Sequence, residues 1–130
     1  MKEIELYLAR EILKFTIVDN YDYQKQDNII TAHGCWYKYL GHEGTSWRPL
    51  ERIDQASLLI NRIIQDYKCY VETKQFVLTT QVFIISSKDS SILGSGHSIN
   101  VPLAWCQAAA DLLNVKFDIK TGKIYHETKH

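Results

Sequence analysis

A surplus of charge of one sign is missing from this sequence. Its 130 residues hold 15 Lys plus Arg against 15 Asp plus Glu, so the formal net charge is zero. Proteins that bind duplex nucleic acid usually carry a basic surplus, because they must neutralise phosphates. The balance therefore argues against a duplex-binding protein. It is compatible with a small anionic ligand, which needs only one or two local donors.

Cysteine is scarce as well, and its pattern restricts the chemistry. Cys35, Cys69 and Cys106 are odd in number, and no pair has the Cys-x-x-Cys spacing. A disulfide scaffold or a closed zinc site is therefore not expected. A reducing cytoplasm is the setting that such cysteine usage favours.

Long apolar runs, internal repeats and linkers are also absent. No run approaches the roughly 20 apolar residues of a membrane helix. The opening Met-Lys-Glu-Ile-Glu-Leu has charges where a secretory signal needs an apolar segment. The sequence therefore predicts a cytoplasmic protein with no membrane partner that forms one domain over residues 1–130. We expect its core to span residues 4–119 and residues 120–130 to form a flexible tail.

Three segments of the sequence have the apolar pattern of helices. Isoleucine and leucine recur four residues apart in residues 3–15, which predicts a first, short helix. A one-sided apolar stripe predicts a second helix over residues 51–67. Residues 101–114 are apolar around most of the circumference, so the third helix is expected to be buried and central.

Short strands are predicted between these helices. β-Branched and aromatic residues favour strands over residues 29–32, 35–40, 69–74, 81–86 and 116–119. Glycine and serine predict a loop over residues 88–100, and polar residues predict another over residues 19–28. The order of the elements predicts an α+β fold, a layered α/β sandwich in which about three helices pack on an antiparallel sheet.

The helices also carry a family resemblance. Residues 8–13 are Leu-Ala-Arg-Glu-Ile-Leu, Trp47 and Pro49 precede the second helix, and residues 102–110 are Pro-Leu-Ala-Trp-Cys-Gln-Ala-Ala-Ala. This pattern resembles the phage ABA sandwich domain, which belongs to phages and prophages of Gram-positive bacteria. The resemblance implies an α/β sandwich and a phage origin. It implies no activity, because the family has no catalytic motif to carry over.

The resemblance spans residues 4–114 and fails at two places. Gln107 stands where the family usually has an arginine. Residues 98–100, Ser-Ile-Asn, stand where the family tends to have an acidic residue and a threonine. A ligand site built from those family positions is therefore not transferred to this chain.

A glycine-rich segment before the third helix is the first candidate site. Residues 94–98 are Gly-Ser-Gly-His-Ser. Glycines such as Gly96 let a phosphate approach the backbone, and a helix N-terminus favours an anion. The side chains of Ser95, His97 and Ser98 can donate hydrogen bonds to it. The pattern is not a P-loop, because the Lys-Ser/Thr pair is missing. The alternative is a plain loop that caps the helix.

A stretch rich in aromatic residues is the second candidate site. Trp36, Tyr39 and Trp47 lie near Arg48 in the sequence, together with Tyr37. Flat rings stack on nucleobases, and an arginine can pair with phosphate. The alternative is that these rings fill one face of a sheet, because large aromatic side chains dominate ordinary cores.

Metal binding and catalysis have weaker support. His33, Cys35 and His42 could ligate a metal, but no second half at zinc spacing exists. Cys106 lies on an apolar helix, where we expect an inert thiol in the core. No sequence motif pairs Cys35 or Cys69 with a catalytic base, although the partners of a nucleophile need not be sequence neighbours. We therefore predict no metal, no cofactor and no enzyme.

These features predict a phage-encoded, non-enzymatic binding protein that acts in the host cytoplasm. We expect it to sequester a small anionic, nucleotide-like signal made by a host defence system. The predicted binding residues are Trp36, Tyr39, Trp47, Arg48, Ser95, Gly96, His97 and Ser98. The alternatives are an inhibitor that binds a host defence protein and a role in virion assembly or structure. A homo-oligomer is expected, because pairing two copies can enlarge a pocket.

Overall fold

The three predicted helices are present in the computed structural model of the chain, which describes residues 1–19 and 27–125. The helices are α1 (Glu3–Glu11), α2 (Ile53–Tyr67) and α3 (Val101–Leu112). The strands are β1 (Thr16–Val18), β2 (Ile29–Thr31), β3 (Tyr37–Tyr39), β4 (His42–Gly44), β5 (Cys69–Gln75), β6 (Thr80–Ser86), β7 (Ile92–Ser98), β8 (Lys116–Phe117) and β9 (Ile124–Tyr125). Most of the loop predicted over residues 19–28 lies outside the described residues.

α1 is shorter than the sequence predicts, because the chain reverses after Glu11. At its start the Glu5 carboxylate accepts the backbone N–H of Lys2 at 3.0 Å, as in a capping box. The helix ends at Glu11, and Lys14 adopts a positive φ of 60°. The reversal brings Phe15 into the core. The apolar residues at the end of the predicted helix are therefore buried without being helical.

The strands form three sheets. The first has the order β1-β2-β3-β4, in which β1 and β2 are parallel and the other pairs are antiparallel. The second is an antiparallel sheet of β5, β6 and β7, with β6 in the centre. The third is the antiparallel pair of β8 and β9. One predicted antiparallel sheet is thus replaced by three smaller sheets, with a single parallel pair among the described strands.

The prediction of a loop over residues 88–100 is wrong, because its centre is the edge strand β7. β7 pairs with β6 from Ser98 opposite Thr80 to Ile92 opposite Ile85. A Cβ atom added at Gly94 would lie 2.5 Å from the carbonyl oxygen of Ala108 in α3. The glycines therefore let a helix backbone approach a strand backbone closely, which is a packing role and not the punctuation of a loop.

α3 is the central helix, as predicted. It packs against β6 and β7 and against α2. Its buried residues are Leu103, Ala104, Cys106, Ala108, Ala109 and Ala110. They belong to one buried cluster that also holds side chains from α1, α2 and all three sheets. The α+β class and the layered α/β sandwich with three helices are confirmed.

The hairpin of β8 and β9 corrects the prediction of a flexible tail over residues 120–130. The backbone N–H of Ile124 in β9 donates to the Glu3 carboxylate of α1 at 3.0 Å. In the connection before β9, the Asp118 carboxylate accepts two backbone N–H groups at 2.9 Å each. The chain is therefore folded through β9, and residues 126–130 lie outside the described residues.

Candidate functional site

The predicted aromatic site lies in the core. Trp47 is 1 % exposed, Tyr39 is 7 % exposed and Trp36 is 6 % exposed. Trp47 and Tyr37 pack edge to face with their ring centroids 5.1 Å apart, and Phe15 packs against both rings. The indole N–H of Trp47 donates to the backbone carbonyl of Glu5 at 2.8 Å. These rings are almost wholly buried, and only their edges border cavities, so the alternative of an aromatic core describes Tyr39 and Trp47. Trp36 packs in a separate small cluster with Val18 and Ile29.

Arg48 is the exposed member of the predicted aromatic site. Its guanidinium lies 3.8 Å from the Glu51 carboxylate, and both side chains are mostly exposed. Arg48 lines a cavity of about 480 Å³, here called the Arg48 cavity, together with the predicted residue Trp47 and with Lys2, His33 and Cys35. His42 lies apart from these residues, in another cavity. Among the described residues no group of three His, Cys, Asp or Glu side chains could hold a metal ion.

The predicted glycine-rich site lines a different cavity. Ser95, Gly96 and His97 border a space of about 350 Å³, here called the β7 cavity, whereas Ser98 does not. The Ser98 hydroxyl instead accepts the backbone N–H of Asn100 at 3.1 Å, in the turn that leads into α3. The glycine-rich segment and Arg48 therefore do not meet in any of the three cavities found in the described part of the chain.

The outer edge of β7 is closed by side chains of α3. The backbone N–H of Ser95 donates to the Asp111 carboxylate at 3.0 Å. The backbone N–H of His97 donates to the Gln107 side-chain oxygen at 2.8 Å. Residues 107 and 111 lie one turn apart on the same side of α3, and residues 95 and 97 are alternate residues of β7. The two α3 side chains can therefore reach two successive outward N–H groups along one strand edge. These two N–H groups are already satisfied, so an anion cannot be held by them.

The walls of the β7 cavity come from two strands of one sheet, a helix and a hairpin. β6 and β7 supply one wall, α3 supplies a second, and the hairpin of β8 and β9 supplies the third. The lining residues are Gln81, Phe83, Ser95, Gly96, His97, Gln107, Ala110, Asp111, Val115, Lys116, Phe117, Ile119 and Tyr125. Sequence reasoning misses the rings of Phe83, Phe117 and Tyr125, because nothing local says that these strands converge.

The β7 cavity combines apolar rings with polar side chains. Phe83, Phe117 and Tyr125 line it, as do Ser95 and His97. Phe83 lies opposite Ser95 in the register of β6 and β7. The ring and the hydroxyl group are therefore neighbours on the outer face of the sheet. Such a mixture of rings and a few polar groups is typical of small-molecule sites.

Lys116 supplies the cation of the β7 cavity. Its ammonium group lies 3.8 Å from Asp111, and its side chain is half exposed. An exposed ion pair at this distance is weak, so an anionic ligand can compete for the ammonium group. Asp111 would keep its hydrogen bond to β7 when the lysine turns to a ligand.

Two of the three free thiols, those of Cys69 and Cys106, are buried. Cys106 is fully buried, and its Sγ lies 3.3 Å from the backbone carbonyl oxygen of Pro49. Burial raises the pKa of the Cys106 thiol, and a nearby Glu5 carboxylate raises it further. Burial also raises the pKa of the Cys69 thiol. The expectation that Cys106 is a core residue is confirmed, and a raised pKa reduces the fraction of the nucleophilic thiolate.

An exposed apolar patch lies at one end of the three-stranded sheet. The connection between β5 and β6 presents Val77, which is 99 % exposed, and Leu78, which is 78 % exposed. Phe76 and Ile99 are also exposed. Ile99 follows the pair of Thr80 and Ser98, so it lies at the same end of the sheet. We call these four residues the apolar tip.

Comparisons of the chain with protein-family models, with curated proteins and with solved structures find no match. The resemblance to the phage ABA sandwich domain therefore stays a prediction. Among the described helices none has the length and apolar character needed to cross a membrane.

Proposed function

We propose that the protein is a non-enzymatic binding protein that holds a small anionic ligand with a planar ring in the β7 cavity. The observation that carries the proposal is the meeting of three rings with Lys116 and His97 in one space of about 350 Å³. Ligand pockets have volumes of roughly 300–1,000 Å³. A mononucleotide, or one half of a cyclic dinucleotide, has this combination of a flat base and a phosphate.

Each group has a separate task in this proposal. The rings of Phe83, Phe117 and Tyr125 supply apolar surface for the base. Lys116 attracts the phosphate, and the side chains of His97 and Ser95 donate hydrogen bonds to it. The backbone of β7 contributes no donors, since α3 already accepts the N–H groups of Ser95 and His97.

The biological role that we propose is sequestration of a nucleotide-derived signal of a host defence system. This step rests on the resemblance to a phage family and on the absence of catalytic motifs from the sequence. A protein that binds such a signal tightly lowers its free concentration without any chemistry. The role needs only affinity and abundance.

The first experiment is a thermal-shift screen against nucleotides, cyclic dinucleotides and cyclic ADP-ribose isomers. A ligand at 100 times its Kd stabilises the folded protein by about 2.7 kcal/mol. Lys116→Ala and His97→Ala should each remove most of the shift. Arg48→Ala, in the other cavity, is the matched control and should keep it. A shift lost only in Arg48→Ala would move the site to the Arg48 cavity, and a screen with no shift would contradict the proposal.

The second candidate is an inhibitor that binds a host defence protein, and the apolar tip favours it. Exposed apolar patches on soluble proteins often mark interfaces. Under this proposal Val77→Asp would abolish inhibition of the target enzyme in a direct activity assay. The same variant would leave ligand binding in the β7 cavity unchanged, so the two candidates can be separated. Inhibition that survives Val77→Asp would exclude the tip.

A further inference from the structure

The three-stranded sheet has one closed edge and one open edge. At the closed edge, Gln107 and Asp111 accept the outward N–H groups of β7. At the open edge lies β5 (Cys69–Gln75), and five of its seven residues are exposed. An unprotected edge strand of this length is a template for another strand.

The hydrogen bonds at the two ends of β5 show which of its groups face outward. The N–H of Phe76 donates to the carbonyl of Thr79 at 2.8 Å, and the N–H of Ser87 donates to the carbonyl of Lys68 at 3.1 Å. In this register the even-numbered residues of β5 bond to β6. The N–H and carbonyl groups of residues 71, 73 and 75 therefore point away from the sheet. Within residues 1–19 and 27–125 none of these groups has a hydrogen-bond partner.

The side chains of β5 are complementary to a second copy of the same strand. In an antiparallel pair with a two-fold axis at Thr73, Glu72 lies opposite the partner's Lys74, and the reverse pair forms by symmetry. Tyr70 then lies opposite the partner's Phe76. Both rings are exposed in the single chain. Opposite charges and aromatic pairs across strands stabilise a sheet.

Other registers of the same pair are less favourable. The residues whose N–H and carbonyl groups point away from the sheet are odd-numbered, and in the pair they must lie opposite one another. The two-fold axis must therefore pass through a residue of β5 and not between two residues. An axis at Glu72 places two carboxylates opposite each other, and an axis at Lys74 places two ammonium groups opposite each other. An axis nearer either end of β5 shortens the overlap. Only the register centred on Thr73 pairs opposite charges along the full strand.

The charged side chains of β5 form no ion pair with the part of the chain that the structure describes. Glu72 and Lys74 form no salt bridge within the described residues, whose salt bridges lie elsewhere. The Lys74 ammonium lies 5.5 Å from the centroid of the Phe83 ring, which holds it on the outer face of the sheet. Both charges are therefore available on the face where the partner's charges would lie.

We propose that two copies of the chain pair through β5, antiparallel and centred on Thr73, and form a continuous six-stranded sheet. The interface is isologous, as in most dimers with two-fold symmetry. It lies at the edge opposite β7, so both β7 cavities stay accessible and the dimer does not depend on the proposed ligand.

The first test measures the mass of the protein by sedimentation equilibrium up to about 0.5 mM, where even weak association is detectable. The wild type should reach twice the chain mass of 15.1 kDa. Thr73→Pro removes an outward N–H that the paired strands need, so it should give a monomer. The single chain should still fold, because proline is tolerated at such edge positions. Thr73→Val keeps the N–H and should remain a dimer. A wild type that stays monomeric would overturn the proposal.

The second test is a charge-reversal cycle, which does not depend on the folding of the proline variant. Glu72→Lys and Lys74→Glu each create two like-charge pairs and should raise the dissociation constant about tenfold or more, a factor that equals about 1.4 kcal/mol. The double variant restores opposite charges and should recover dimerisation. Circular dichroism checks the fold of each variant. A dissociation constant that stays unchanged in both single-reversal variants would refute this register.

Discussion

Gly96→Ala tests whether the glycines of β7 serve helix packing or ligand binding. A Cβ atom at this position would collide with the carbonyl oxygen of Ala104 and lie 2.8 Å from the backbone nitrogen of Ala108. Both contacts are backbone atoms of α3, so no side-chain rotation relieves them. Either α3 must move away from β7 or the strand must distort.

The cost of Gly96→Ala should reach the upper end of the range for overpacked cores, about 3 kcal/mol. The entropy of unfolding is about 2.1 cal/mol/K per residue, so a chain of this size should lose about 10 °C in Tm. Urea denaturation and differential scanning calorimetry of the ligand-free protein measure both quantities. Ser95→Ala is the matched control in the same strand. Its side chain is exposed and its N–H is kept, so its stability should change by no more than about 0.5 kcal/mol.

The outcome that would refute the packing argument is equal stability of the two variants. If Gly96→Ala melted within about 2 °C of the wild type, α3 could not be held as close to β7 as the structure shows. The glycines would then be free for another purpose, and the anion-site interpretation of residues 94–98 would regain its basis. A loss of stability measured without ligand would support the packing role of Gly96.

Three further predictions concern the core and the closed edge. Trp47→Ala should cost about 3–5 kcal/mol in urea denaturation, because it empties a buried site and removes the hydrogen bond to Glu5. Gln107→Ala leaves the N–H of His97 without its acceptor and should cost about 1 kcal/mol, again by urea denaturation. Burial raises the pKa of Glu5 above 4.5, so its contribution to stability is greatest in acid and falls as pH rises through the raised value. Glu5→Gln should therefore gain stability relative to the wild type as pH rises from about 4.5 through the raised pKa, and a constant difference in stability would contradict the burial of Glu5.

The burial of Trp47 changes the design of any binding experiment. From the sequence, an alanine at Trp47 or at Arg48 would be expected to remove ligand binding and leave the fold intact. In the structure only Arg48 is exposed enough to be replaced by alanine without disturbing the fold. The Trp47 ring is enclosed by other aromatic side chains. A loss of binding in Trp47→Ala would report unfolding, so the variants of Lys116 and His97 are the informative ones.

The sequence predicted those parts of the fold that depend on local pattern. The apolar period of residues 101–114 identified α3 and its central position, because a helix that is apolar all round must be buried. β-Branched residues predicted β6, because the preference for a strand also depends on the residue types within the segment. The predicted first helix was too long, since apolar residues can be buried with or without helical backbone, as Phe15 shows.

The candidate site was only partly predictable. Ser95, Gly96 and His97 do line a cavity, but not as a phosphate loop. The sequence predicts Lys116 and Phe117 only as part of a strand, with no role in a site. No local signal connects residue 95 with residue 116, because the cavity arises where β7, α3 and the hairpin of β8 and β9 converge.

What the sequence by itself determined was the periodic elements, the balance of charge and the apolar character of α3. The tertiary structure decided whether a glycine-rich segment is a loop or a strand and whether an aromatic stretch is a core or a site. The physical reason is that helical period is set by neighbours a few residues away. Strand pairing, the close approach of α3 to Gly94 and the burial of Trp47 each depend on residues far along the chain.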